Sequence, residues 1–544
     1  MPIRFISSAM MAPLAHVLVA MLATGFTASV SAGEVRLTIC GPGPVVHDDL
    51  FGWFLERPSW DGETGPEGLA DLRTGDLPPA VEAAVRDLAP TILRFPGGTD
   101  IDVQDWTDLV DALPGRPERI RPMQRGHRGA LVGTRFGLHE YERLRRRLGA
   151  RSVLVVNVLD ALLGRRPVAE AAAHAAGLVA YARLPVGAPR PEGMPDWPAA
   201  RAANGDPEPF ALDAVQFGNE WFMPMYAKAR SAPGAAEHYI ATITAYADAI
   251  HAVVPGLPLI IDGDMGDPAL TQAVLADARV RSSVRFAAFH TYAPGPIEVR
   301  GSPDPGPQAV AQALTSMPGA YAEDGSAAGL PQGAAIAAAR AQGYAIASTE
   351  WNANGWQVAN GPRLETPWDV SAALGVAAFL HGMVRQEVSL ATQSMLVGQA
   401  WGLVAVKSRP GSREPPRLSP LAQVSALYRH RHGSQAMTSR LDGVAVRPRP
   451  FRLGWGGPTP AVADADVLVT RQATTAWIHL VNRSSEPVTL QIDWGSLAPR
   501  GPGTLRLLAA SGAAVVPSEA PWPDPTSLVA PPMAVVNAEV PTAP

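Results

Sequence analysis

Two glutamates stand where apolar runs end: Glu220 in "AVQFGNEWF" (214–222) and Glu350 in "YAIASTEWN" (344–352). Each is followed at once by a tryptophan, Trp221 and Trp351, and Asn219 precedes the first. Two carboxyl groups flanking a glycosidic bond can split it. One protonates the leaving oxygen, and the other attacks the anomeric carbon or activates a water. The acid must hold its proton near neutral pH, which a partly apolar cage beside a second carboxylate favours. Trp221 and Trp351 are read as that cage, and the Asn219 carboxamide suits a sugar hydroxyl. A single glutamate in such a place often does no more than pair with a buried arginine. Two in the same setting point to chemistry.

The elements that must position them are strands alternating with helices. Short apolar runs recur and most end on a polar residue: "TILRFPGG" carries Arg94, "SVLVVNVLD" Asn157, "LPLIIDGD" Asp262 and "VRFAAFHTY" both His290 and Tyr292. Apolar runs with little alternation suit strands buried on both faces, as in a parallel sheet. Helical spacing of Leu138, Tyr141, Leu144 and Leu148 precedes Gly149, a natural stop. The segments 237–256 and 371–386 repeat that pattern. Strand and helix in alternation mean an α/β fold. Polar groups gathered at strand ends point to a (β/α)8 TIM barrel, whose working face is built there. The open doubly wound sheet is the alternative, but no Gly-rich dinucleotide fingerprint follows any strand.

After about residue 405 the texture changes to β-rich runs separated by Ser/Pro/Gly turns, as in 465–497. This reads as a C-terminal β-sandwich domain. The expected organisation is a signal peptide over 1–32, a strand within 33–48 that joins the sandwich, the barrel over 49–405 and the sandwich over 406–544. The signal reading rests on Arg4, the apolar centre at Val17–Leu22 and the small-residue end Val30, Ser31 and Ala32. It implies export to the periplasm or the medium, with no membrane contact beyond that signal.

The chain has 544 residues, 17% of them charged, and a formal net charge of −5. No basic stripe marks a nucleic-acid partner. The single cysteine, Cys40, excludes an internal disulfide, and no Cys/His cluster has zinc-ligand spacing. Neither a cofactor nor a metal is expected.

With these residues in place, the chain resembles the clan A retaining glycosidases, and most closely the α-L-arabinofuranosidases of glycoside hydrolase family 51. In that family a Gly-Asn-Glu ends the fourth barrel strand and supplies the general acid/base, and a Glu-Trp-Asn ends the seventh and supplies the nucleophile. The resemblance therefore implies Glu220 as acid/base, with Asn219 beside it, and Glu350 as nucleophile. "FGWFLE" (51–56) resembles the first-strand segment, whose closing glutamate, Glu56 here, binds the sugar. "LRFPGG" and "DWTD" resemble the loop after the second strand. "FGLHEYERLRRRLGARSVLVVN" is similar to the third helix–strand unit, and "FHTY" to the sixth strand with its substrate-facing His290 and Tyr292. The resemblance covers most of residues 50–400. Three departures stand out: Thr99 where the family has a sugar-contacting Asn, Thr349 where it has Asp, and no Val-Asn pair in "QSMLVGQAWG". They bear on which sugar is recognised rather than on hydrolysis.

Other residues carry two readings. His290 and Tyr292, two apart on a strand, point the same way and suit substrate binding. Arg94 either contacts substrate or orients one glutamate through a buried ion pair, the use to which arginine is better suited. Asn157 lines the site or braces the barrel top. Asp262 and Asp264 are read as helix-cap or turn residues. Trp60, Trp106, Trp356 and Trp351 either face sugar rings or pack. The implied partner is an oligosaccharide or polysaccharide. The alternatives are another clan A specificity (a β-xylosidase, an endo-glucanase or a glucuronidase), a non-catalytic glycan-binding barrel, and a metal-dependent hydrolase, which singly scattered histidines disfavour.

Overall fold

A computed structural model describes residues 35–57, 65–113, 121–126, 129, 131–299, 332–357, 370–398, 405–408, 415–447, 451–453, 462–511 and 514–544. The expected signal peptide and Trp60 lie outside the described residues, as does the side chain of Trp356.

Eight parallel strands form the catalytic-type barrel: β2 (Gly52–Glu56), β3 (Ile92–Gly97), β4 (Arg151–Val156), β5 (Ala214–Phe217), β6 (Leu259–Asp262), β7 (Phe286–Val299), β8 (Ala345–Gln357) and β9 (Val388–Gln393). Each pairs with the next, and β9 returns to β2 through Thr392↔Gly52 and Gln393↔Trp53, so the sheet closes. This is the TIM barrel expected from the alternation. Its interior begins with an apolar layer that includes Ile92, Ala214, Ile260 and Ala288. Side chains two apart on a strand share a face. One step further along the same strands therefore stand Arg94, Gln216, Asp262 and His290, all buried. The polar layer sits at the carboxyl ends of the strands, on the face that barrels use for chemistry.

The outer ring includes α1 (Leu138–Leu148), α2 (Val168–Arg183), α3 (Ala235–Val253), α4 (Val370–Arg385) and α5 (Pro420–His430). The first shows how the sequence sets its bounds. The Glu140 side chain accepts the Gly137 N–H at 2.9 Å at its start, and Gly149, at φ +67°, ends it in the left-handed conformation. Leu138, Tyr141 and Leu144 are buried against the barrel. The ring continues beyond residue 405, since α5 contributes Leu421, Val424 and Tyr428 to the same apolar core as the barrel helices.

A second, nine-stranded sheet starts at β10 (Gln435–Asp442) and includes β11 (Ala465–Gln472), β12 (Thr475–Asn482), β13 (Val488–Asp493), β14 (Gly503–Ser511), β15 (Ala514–Trp522), β16 (Ser527–Ala530) and β17 (Ala534–Pro541). The ninth member is β1 (Val35–Val45), which runs antiparallel to β10 and parallel to β13. The strand order is β15-β14-β17-β12-β11-β10-β1-β13-β16. The sheet curls over its own core, where Leu37, Val469, Ile478, Leu490 and Val536 meet. It forms the β-sandwich expected of the C-terminal region.

Candidate active site

Glu350 and His290 come from adjacent strands, β8 and β7, at paired positions of the ladder. Simple alternation would not turn Glu350 inward, because Ala347 already faces the barrel interior. The ladder slips between Ala347 and Glu350, and this bulge re-aims the glutamate. Glu220 arrives from the other side, on the turn after β5. An oxygen of Glu220, an oxygen of Glu350 and a ring nitrogen of His290 lie within 4.8 Å of one another.

Arg94 is the anchor. Its buried guanidinium donates Nη1–H to Glu350 Oε1 at 2.9 Å, Nη2–H to Asn219 Oδ1 at 2.6 Å and Nε–H to Gln216 Oε1 at 2.8 Å. It also lies over the Phe54 ring, 5.1 Å from the centroid. Of the two readings of Arg94, the structure gives the buried ion pair, and the partner is Glu350. Removing one member of such a pair strands a buried charge. Arg94→Ala should therefore cost roughly 3–5 kcal/mol of stability in a denaturant titration. A loss below about 1 kcal/mol, the range of an exposed ion pair, would contradict this.

The second oxygen of Glu350 accepts the Tyr292 hydroxyl at 2.9 Å, and that hydroxyl also meets Ser394. Burial, together with the charges of Glu350 and Glu56, pushes the Tyr292 phenol well above its ordinary range, so it stays a donor. Glu56 stands two residues beyond Phe54 on β2 and so shares its face; its carboxylate fills the space where a Cβ on Gly98 would stand. His290 Nδ1 lies 3.2 Å from Glu220 Oε1 and 3.5 Å from Glu350 Oε2. Its Nε2 lies 2.9 Å from Thr349 Oγ1. Burial alone would lower the imidazole pKa. The charge of Glu350, and the hydrogen bond and charge of Glu220, outweigh it and hold the pKa above its ordinary value. His290 Nδ1 thus faces both carboxylates.

Three readings change. Trp351 does not line the site: it faces away from Glu350 and packs on Phe379 of α4, with 1% of its surface exposed. Trp221 likewise lies in the wall between β5 and the helices, with its indole N–H on the Phe217 carbonyl at 2.9 Å and its ring near Tyr226 and Tyr239. On β8 the neighbour of an inward-facing residue faces outward, and Trp221 is held in the wall by its own contacts, so no tryptophan cage forms from these two. Asn157 is also displaced from the carboxylates. Its Oδ1 accepts the Asp160 N–H at 3.2 Å and its Nδ2 donates to Asp160 and to the Gln104 carbonyl, a local brace at the start of the next helix. Trp106 packs too, donating to the His174 carbonyl.

Two contributors were missed or misjudged from sequence. Gln216, an amide inside "AVQF", holds Arg94, and its inward position two residues before Gly218 was the available signal. Asp262 faces the interior as well as serving its own turn. Glu220, His290 and Glu350 are the ligand-type cluster among the described residues. A cation there would face the Arg94 guanidinium already bound to Glu350, so the donor set suits a carboxylate pair better than a metal cage.

The chain resembles known proteins both in sequence and in fold. The model described as the alpha-L-arabinofuranosidase 1 domain matches residues 84–295. An exo-α-(1→6)-L-arabinofuranosidase of Bifidobacterium longum is 28% identical over 256 residues, 45% of this chain and 44% of that protein. An intracellular exo-α-(1→5)-L-arabinofuranosidase of Streptomyces lividans is 30% identical over 226 residues, 41% of this chain and 30% of that protein. The match thus spans less than half the length of either relative. In fold the likeness is wider. A family 51 α-L-arabinofuranosidase of B. longum superposes with a TM-score of 0.71 at 20% identity, covering 93% of this chain and 99% of that one. The corresponding enzyme of Thermotoga petrophila gives 0.68 at 18% identity, covering 93% and 100%. In sequence over much of its barrel this chain is similar to α-L-arabinofuranosidases, and in fold over nearly its whole length it is similar to those of family 51.

Proposed function

We propose that the protein is an exported retaining glycosidase that releases terminal α-L-arabinofuranosyl groups from plant-type oligosaccharides or polysaccharides. The observation that carries this is the approach of the Glu220 and Glu350 oxygens to within 4.8 Å. Retaining pairs stand roughly 5–5.5 Å apart, whereas inverting pairs leave roughly 6.5–9.5 Å for a water.

Glu350, fixed by Arg94 and Tyr292, attacks the anomeric carbon while Glu220 gives its proton to the departing oxygen. The bond from sugar to leaving group breaks as the bond from sugar to Glu350 forms. Glu220, now a carboxylate, takes a proton from water, whose oxygen attacks the same carbon and frees Glu350. Asn219 supports sugar binding: its Oδ1 is held by Arg94, and its buried Nδ2 has no hydrogen-bond partner among the described residues. A buried unpaired donor is costly, and a sugar hydroxyl would satisfy it. The tripartite layout of residues 1–32 supports export.

A panel of 4-nitrophenyl glycosides tests the reading. The α-L-arabinofuranoside should be cleaved with kcat/KM at least about 100-fold above the β-xyloside, β-glucoside and β-glucuronide, the size of an effect confined to transition-state contacts. Preference for one of the pyranosides would point to another clan A specificity. Binding of glycans without release of nitrophenol from any of the four would make the protein a lectin-like barrel.

A further inference from the structure

Glu220 has a φ of +50°. A side chain in this left-handed region costs about 1–3 kcal/mol and persists only where its surroundings impose it. Several contacts clamp the turn through its carbonyls. The Met223 N–H donates to the Glu220 carbonyl at 2.8 Å. Arg230 Nη1 donates to the carbonyls of Trp221 and Met223 at 2.6 and 3.0 Å. The N–H that directly follows Glu220 goes elsewhere: the Trp221 amide donates to Asp262 Oδ2 at 2.7 Å. Asp262 ends β6, is 4% exposed and accepts the Asp264 N–H at 3.1 Å on its other oxygen. A hydrogen bond to a buried charged acceptor is among the stronger kinds. Burial pushes the Asp262 carboxyl up to about 7, with His290 and the two amides pulling the other way. A carboxyl kept under such tension at a strand end is doing more than closing its own turn.

We propose that Asp262 is a positioning residue for the acid/base glutamate. By accepting the Trp221 N–H it fixes the peptide plane after Glu220 and holds residue 220 in its left-handed conformation. That conformation aims the carboxyl at His290 and Glu350. Without the acceptor, residue 220 relaxes toward negative φ and its carboxyl leaves the pocket, while Arg94, Tyr292 and Glu350 keep their contacts. The defect then falls on proton delivery and spares nucleophilic attack. The inference rests on the hydrolytic reading above.

The test compares wild type, Asp262→Ala, Asp262→Asn and Glu220→Ala on two α-L-arabinofuranosides: a 2,4-dinitrophenyl substrate, whose leaving group needs no proton, and an arabinofuranosyl disaccharide, whose leaving group does. The quantity read is kcat/KM, which reports formation of the covalent intermediate and not its later hydrolysis. Asp262→Ala, which removes the acceptor, should lose about tenfold or more on the disaccharide and stay within about threefold on the dinitrophenyl substrate, as a weakened general acid does. Asp262→Asn keeps an oxygen that can accept the Trp221 N–H and should recover part of the loss on the disaccharide. Equal losses on both substrates, or no loss on either, in Asp262→Ala overturn the inference. If Asp262→Ala does not accumulate as folded protein by its thermal melt, Asp262→Val is read by the same two criteria. Failure of wild type on both substrates sinks the hydrolytic reading and this inference with it. Glu220-dependent turnover combined with an unselective Asp262→Ala sinks the inference alone.

Discussion

Glu350→Ala is expected to lower kcat on every arabinofuranoside by a factor on the order of 10⁴ or more, because it removes the proposed nucleophile, which would split one hard step into two easier ones. The loss should be the same for good and poor leaving groups, since neither can react without attack at the anomeric carbon. Added azide should occupy the space left by the carboxylate and give a glycosyl azide of inverted configuration. Recovery of turnover with the original configuration would mean that another group forms the covalent bond. The loss should also come without gross unfolding. Arg94 keeps Gln216 and Asn219 as partners, although its charge is left without the Glu350 carboxylate.

Glu220→Ala is expected to divide substrates instead. With a disaccharide, whose alkoxide leaves poorly, kcat/KM should fall about 10²–10⁴-fold, the usual worth of a positioned general acid. With the dinitrophenyl substrate, formation of the covalent intermediate should be nearly unaffected. Its hydrolysis should slow, because the same residue activates the water, and a burst of dinitrophenol followed by a slow steady state is the expected trace. Equal losses on both substrates, without a burst, would remove Glu220 from the acid/base role. His290 should modulate this profile, since its Nδ1 stands 3.2 Å from Glu220 Oε1.

The carboxylate pair was legible because each glutamate interrupts an apolar run, Glu220 just past β5 and Glu350 within β8. Apolar packing does not explain a charge at either place, and Arg94, inside β3, was legible on the same ground. The TIM barrel followed from the same runs, because strands sheathed by helices cannot alternate polar and apolar faces. The tryptophans were misread because adjacency in sequence is opposition in a strand. The residue beside an inward glutamate faces the helices, which is where Trp351 meets Phe379. Even correct counting along β8 would have misplaced Glu350, since the bulge after Ala347 resets the alternation.

Asn157 kept two readings for a different reason. Its amide is satisfied three residues away, by Asp160, and a local cap looks the same in sequence as a binding group. The role of Asp262 was not legible at all. Its partner, the Trp221 amide, is 41 residues away, and a main-chain donor leaves no trace in residue identity. Contacts of this kind follow from closure of the barrel, which brings β5 and β6 side by side. Thr349 falls between the two cases. Its departure from the family pattern was visible, but its contact with His290 Nε2 was not.

The central claim is that two acidic side chains, one on the turn after β5 and one on β8, act in succession on one anomeric carbon. Proton NMR of the first sugar released from an aryl α-L-arabinofuranoside, recorded before mutarotation, measures this directly. Two successive inversions give the α-anomer first. Initial release of the β-anomer would contradict it, because a single displacement requires a water between carboxyl groups that here approach one another too closely to hold it.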